Sequence, residues 1–372
     1  MTNEAVRELL CTYLREKPET QRASRKLGKV DFSTIEHMGL NENVFGMSPK
    51  AIEAMAAVAP NNKFYADWMQ VELKEAIGDH YGVTPDFILT GCGSSAVTDA
   101  LGVAFLEKGD EVLMCVPTFP ALVDTAQING ASVVTIPTKE DLTFDLDGLL
   151  ENITEKTKMV YICNPNNPTG TYVGIDALND FAKKCPDHVI QVYDEAYIEF
   201  AEAEDCKEMV ETMKAMPDKP IVILKTFSKF YGMAGVRAGY LLAQPEMIAY
   251  LSKCGGGLGW ALGGVSQAGA AAAMRDQEHG KYIKAENAKC REYLSTELKK
   301  LGCKVYDSQT NFIFFHPGVD PEEVAYRMME MGIMISAQAG ANRVSVNFMP
   351  VCQKFIANLK TIISDLKAEQ SK

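Results

Sequence analysis

Residues Thr226 to Tyr240 read TFSKFYGMAGVRAGY. Lys229 follows Ser228 directly and is followed by an aromatic pair, by glycines at 232, 235 and 239, and by Arg237. Just before it runs PIVILKT, a continuous apolar, β-branched stretch that reads as a buried strand, so the lysine stands where a strand ends. The same grammar recurs along the chain. DFILTG, DEVLMCV, SVVTIPT, MVYICNP and VIQVYDEAY read as further strands and GVRAGYLLA as one more, with helical patterns such as AVTDALGVAFLEKG between them. Non-alternating strands separated by helices predict an α/β fold, a mostly parallel seven-stranded sheet covered on both faces. Ligands of such sheets bind beyond the carboxyl ends of the strands.

A chain of 372 residues exceeds what one core usually supports. Its pattern changes near 280, where a long charged helix precedes a smaller α+β region. The expected division is an N-terminal arm and helix over 1–45, a large domain over 46–270 and a small domain over 271–372. In the arm, Val6, Leu9, Leu10, Tyr13 and Leu14 fall at helical spacing. CGGGLGWALGGVSQAGAAAAM reads as a loop entering a tightly packed helix of small residues. A net charge of −12 argues against a nucleic-acid or anionic-membrane surface. No apolar run reaches membrane-spanning length. The ten cysteines are scattered without metal-ligand spacing, which predicts no metal and a reduced, cytoplasmic setting.

Four strand ends carry unusual chemistry. TGCGSSA is a glycine turn opening into a helix, where free amides and serine hydroxyls suit a phosphate. Taken alone it also fits a dinucleotide fingerprint, with Gly91, Gly93, Ala96 and Glu111 in place. NPNNPTG supplies asparagine at a strand end and DEAYIEF supplies Asp194 and Tyr197, although singly these are common turn and cap residues. The fourth end is Ser228-Lys229. Phosphate cradle, asparagine, carboxylate and lysine together answer the needs of pyridoxal 5'-phosphate: its phosphate, phenolic oxygen, pyridine nitrogen and aldehyde. A nicotinamide site would leave Lys229, Asp194 and Asn167 without a task.

From LNENVFGMSPKAIEA near 40 to NRVSVNF near 345 the sequence resembles class I/II aminotransferases of fold type I, and within them histidinol-phosphate aminotransferases. The resemblance implies that Lys229 forms the Schiff base, with Lys225 as the competing lysine. Asp194 would pair with the pyridine nitrogen, and Asn167 and Tyr197 would hold the phenolic oxygen. Ser94, Ser95, Thr226, Ser228 and Arg237 would grip the phosphate, and Phe119 would stack on the ring. Tyr65 would reach the phosphate of a partner subunit, implying a homodimer with shared active sites. Arg343, with Asn43 and Trp260, would bind substrate. The substrate set departs from the family pattern: Val44 replaces a proline, Ala66 follows Tyr65 where proline is common, and Ser336 stands where an arginine helps bind substrate phosphate. The expected reaction is a ping-pong transfer of an amino group between an amino acid and a 2-oxo acid, with a substrate other than histidinol phosphate. Racemisation, decarboxylation or elimination at the α-carbon is the alternative chemistry for the same frame, and a non-catalytic cofactor-binding module is a third reading.

Overall fold

The computed structural model describes residues 6, 8–10, 12–16, 34–254 and 261–370. After a two-residue strand β1 (Glu36–His37), the chain forms β2 (Ile88–Gly91), β3 (Glu111–Val116), β4 (Ser132–Pro137), β5 (Thr157–Cys163), β6 (Ile190–Asp194), β7 (Ile221–Thr226) and β8 (Gly239–Ala243). These last seven make one sheet in the order β2-β8-β7-β6-β5-β3-β4. Its β4-β3-β5-β6-β7 run is parallel, while β8 is antiparallel to both β7 and β2. The central strands are buried throughout, as their unbroken apolar runs require. β4 lies at the edge and alternates in exposure, ending at Pro137, which needs no ladder hydrogen bond there. The architecture is that of fold type I.

Among the described residues there are two large hydrophobic cores and a small third cluster of Ile198, Ala201 and Cys206. One packs helices against the seven-stranded sheet and includes Val160, Val192, Ile223 and Leu241. The other sits under a four-stranded antiparallel sheet of β9 (Lys304–Val305), β10 (Phe312–His316), β12 (Ser336–Gln338) and β13 (Ala341–Ser345). Helices Gln277–Lys300, Pro321–Glu330 and Met349–Gln370 close this second core through Leu294, Met328 and Phe355. The run GIMISA, which reads as one strand, is divided between β11 (Ile333–Met334) and β12. β11 pairs with β1 and β12 with β13, so the chain changes sheets at Ile335, whose side chain is buried in the second core.

The Gly/Ala-rich run becomes the Gly264–Arg275 helix, laid against Pro49–Val58. A Cβ on Gly269 would come within 2.6 Å of Met55, so the small residue sets how closely the two helices approach. Among the described residues no helix is long and apolar enough to cross a membrane.

Candidate active site

Strand register assembles the site. Cys163 lies beside Asp194 and Asp194 beside Leu224, while Thr226, Gly239 and Gly91 stand side by side across β7, β8 and β2. Groups widely separated in sequence thus meet at one end of the sheet.

At Gly93 (φ +81°) the chain turns from β2 into the Ser94–Phe105 helix, whose N-terminus no side chain caps. A Cβ on Gly239 would lie 2.2 Å from the Ser94 nitrogen, and one on Gly93 would lie 2.5 Å from Nη2 of Arg237. Glycine is required at both because helix start, strand and guanidinium close on one another. Arg237 donates to Ser228 Oγ at 3.5 Å and to the Ala234 carbonyl at 2.9 Å, and has no carboxylate partner among the described residues. The Ser228 amide donates to Thr226 Oγ1 at 3.1 Å. Ser94 and Ser95 open the uncapped helix. Amides, hydroxyls and an arginine without a counter-ion converge as an anion cradle.

Asp194 is buried at the end of β6. Tyr161 Oη donates to its Oδ2 at 2.7 Å and the Ala196 amide to Oδ1 at 3.1 Å. Burial raises its pKa despite these bonds and despite Lys225 and Lys229 nearby. Such a carboxyl suits a cationic N–H, which would restore its charge.

Tyr197 Oη receives Asn41 Nδ2 at 3.1 Å and Asn167 Nδ2 at 3.4 Å. Burial pushes its phenol well above the usual value. Asn167 Oδ1 accepts from Arg343 Nη1 at 2.6 Å, and Arg343 Nη2 donates to the Gly39 carbonyl at 2.7 Å. Arg343 is buried over the Phe312 ring, and its Nε has no hydrogen-bond partner. Burial lowers its pKa, so the site holds a guanidinium short of acceptors.

Lys229 Nζ donates to the Leu40 carbonyl at 2.9 Å and lies 5.8 Å from the Tyr197 ring centre. Burial first, then the charges of Arg343 and Arg237, lower its pKa to about 8, against the opposing pull of Glu42 and Asp194. Lys225, the competing lysine, is occupied elsewhere: it is fully buried and ion-paired with Glu195, Glu199 and Glu208.

Other candidates fall differently. Phe119 follows the end of β3 with 46% of its surface exposed. Tyr65 is 86% exposed on this single chain and takes no part in the constellation around Lys229. Asn43 has both ends of its amide engaged, donating to the Phe230 carbonyl at 2.7 Å and accepting from the Phe45 amide at 3.1 Å. Those bonds fix the loop and leave Asn43 as a brace rather than a free substrate contact. Trp260 lies outside the described residues. Asn41, which the sequence reading did not single out, is the asparagine of this loop that reaches the site. It is buried at φ +56°, with its amide on Tyr197 and its backbone N–H on Ser345 Oγ at 2.9 Å. The local signal was only its place in the same NEN run, which does not say which asparagine points inward.

Residues 33–352 match the family described as aminotransferase class I and II. The chain belongs to that family. It is 34% identical over 338 residues to histidinol-phosphate aminotransferase 1 of Bacillus cereus, covering 90% of each chain. It is 37% identical to the histidinol-phosphate aminotransferase of Geobacillus thermodenitrificans over 82% of each. Among solved structures it resembles the Sinorhizobium meliloti histidinol-phosphate aminotransferase in complex with pyridoxal-5'-phosphate, with a TM-score of 0.87 and 26% identity over 96% of this chain and 98% of that one. This aminotransferase therefore depends on pyridoxal phosphate. Its own residues fit the cofactor: a glycine-walled anion cradle, a buried carboxyl in need of a cation, and a lysine whose amine is readily deprotonated.

Proposed function

We propose that the enzyme moves the amino group of a free amino acid to a 2-oxo acid and does not act chiefly on a phosphorylated amine. The observation that carries this reading is the register of the small sheet. Arg343 stands directly opposite Ser336, so the wall offers one buried guanidinium where a phosphate clamp would need two cations. A carboxylate needs only the one, and Arg343 is that guanidinium.

Bound in the cradle, pyridoxal phosphate supplies an electron sink that acidifies the α-proton of an attached amino acid. The remaining work is assigned to this chain. Ser94, Ser95, Thr226, Ser228 and Arg237 hold the phosphate, and Asp194 keeps the pyridine nitrogen protonated. Asn167 and Tyr197 hold the phenolic oxygen, with Asn41 orienting the Tyr197 hydroxyl and Phe119 covering the ring. Arg343 fixes the substrate carboxylate and thereby the direction of its α-carbon. Lys229 Nζ takes the α-proton as base and returns it as acid, a task suited to an amine lowered to about 8. We further propose a reduced cytoplasmic setting and a homodimer in which Tyr65 completes the partner's cradle. The extent of the large domain, 46–270, and of the small domain, 271–372, is likewise our proposal.

The test compares kcat/KM for a panel of free amino acids with that for histidinol phosphate, in the native chain and in Ser336→Arg. The native chain should favour an amino acid. The added cation should raise kcat/KM for histidinol phosphate by about 10- to 100-fold, the equivalent of one charged hydrogen bond of roughly 1.5–3 kcal/mol. A native preference for histidinol phosphate would overturn the substrate assignment.

A further inference from the structure

Ser345 ends β13 two residues after Arg343, so the two side chains leave the same face of that strand. It is fully buried, and its hydroxyl engages Asn41 twice. Ser345 Oγ accepts from the Asn41 main-chain nitrogen at 2.9 Å and donates to Asn41 Oδ1 at 3.1 Å. Asn41, itself buried, turns its Nδ2 to Tyr197 Oη at 3.1 Å.

The directions of these bonds follow from the two groups that have no choice. A main-chain N–H only donates, so Ser345 Oγ receives the Asn41 amide and keeps its own hydrogen for another acceptor. Asn41 Oδ1 is the acceptor within reach, which leaves the NH2 end of that side chain facing Tyr197. A guanidinium also only donates. Arg343 Nη1 holds Asn167 Oδ1 at 2.6 Å, so Asn167 likewise presents its Nδ2 to Tyr197, at 3.4 Å. Tyr197 Oη thus receives two amide donors, one for each lone pair. Its own hydrogen meets no acceptor among the described residues and is left for whatever the site binds.

We propose that Ser345 is a positioning residue: by fixing which end of the Asn41 amide faces Tyr197, it commits the Tyr197 hydroxyl to donate to the phenolic oxygen of the bound cofactor. Without the Ser345 hydroxyl, Asn41 Oδ1 loses its donor and the amide is free to turn. Tyr197 then gives its hydrogen to Asn41, and the phenolic oxygen goes without. This role rests on the assignment of Tyr197 to that oxygen.

The test titrates the cofactor-loaded enzyme with acid and base, without substrate, and follows the visible band as the linkage between cofactor and Lys229 loses its proton. A donor on the phenolic oxygen stabilises the negative charge there, so its loss makes the linkage hold its proton more tightly. The midpoint should therefore rise in Ser345→Ala by about one pH unit, the equivalent of one charge-assisted hydrogen bond. Ser345→Cys, which nearly keeps the shape of the side chain but donates weakly, should move it the same way by less. Tyr197→Phe should raise the midpoint at least as far as Ser345→Ala does. Adding Ser345→Ala to Tyr197→Phe should raise it no further, because the two act through one hydroxyl. The titratable groups that face Tyr197 and Lys229 stay the same in every variant: Cys163 and Asp194 at the ends of β5 and β6, Arg237 before β8, Arg343 on β13 and Glu42 beside Asn41. A midpoint unmoved or lowered in the Ser345 variants would overturn the proposal, as would an undiminished effect of Ser345→Ala on the Tyr197→Phe background. A midpoint unmoved in Tyr197→Phe would overturn the assignment of Tyr197 along with it.

Discussion

Lys225 and Lys229 are four residues apart, and their surroundings move their pKa values in opposite directions. Lys225 is buried among three glutamates, which overcome the cost of burial and raise its pKa well above the usual value. Lys229 meets burial and two arginines, and its amine is lowered to about 8. The consequence is measurable in the cofactor-free enzyme. Only the neutral amine attacks an aldehyde, so the rate of cofactor uptake should rise about tenfold per pH unit below 8 and level off above it. An ordinary lysine would still be gaining rate at about pH 9.5. Stopped-flow records of the growing visible band across that range decide between the two profiles. A curve still climbing at about pH 9.5 would contradict the environment assigned to Lys229.

At the scale of elements, the cradle depends on how closely β8 passes the start of the Ser94–Phe105 helix. Gly239→Ala would set a methyl 2.2 Å from the Ser94 nitrogen, backbone that cannot swing aside as a side chain would. The expected cost is about 1–3 kcal/mol in urea unfolding of the cofactor-free enzyme, with weaker retention of the cofactor on dialysis. Gly235→Ala, where a Cβ would meet nothing within 4 Å, is the control and should leave both unchanged. The strands were legible because each is an unbroken apolar run bounded by polar turns, and so was the idea that chemistry collects at their ends. Their order was not. Nothing local in GVRAGYLLA says that β8 runs antiparallel between β7 and β2, and nothing in GIMISA says that the chain changes sheets at Ile335. Asn41 escaped for the same reason. Its partners Tyr197 and Ser345 lie 156 and 304 residues away, and a distant partner leaves no periodicity to read.

At the scale of the whole molecule, the segment from Met38 to Asn43 ties the two cores to the site. Ser345 donates its amide to the Met38 carbonyl at 2.8 Å, Asn311 donates to the Asn41 carbonyl at 3.1 Å, and Lys229 donates to Leu40. A shift of the smaller sheet is thereby felt at the catalytic lysine through hydrogen bonds rather than through loose packing. On the outer surface, Phe64, Tyr65, Trp68 and Met69, all within eight residues of the end of the Ala59–Asn61 helix, are each at least 57% exposed. Large apolar groups gathered in this way mark an interaction surface. Sedimentation of the native enzyme should therefore give the mass of two chains. Phe64→Glu combined with Met69→Glu should shift it toward one chain, with a parallel loss of bound cofactor. A native enzyme that sediments as single chains at micromolar concentration would remove the partner's Tyr65 from the site.

In the proposed reaction, Lys229 and the residues around it let bound pyridoxal phosphate take an amino group from a free amino acid. The most direct measurement is a spectrum of the cofactor-loaded enzyme as one amino acid is added with no acceptor present, together with an assay for oxo acid. Loss of the visible band and one oxo acid per chain are expected for at least one amino acid, and neither change in Lys229→Ala. A band unmoved by every amino acid, or oxo acid formed at the native rate by Lys229→Ala, would contradict the proposed reaction.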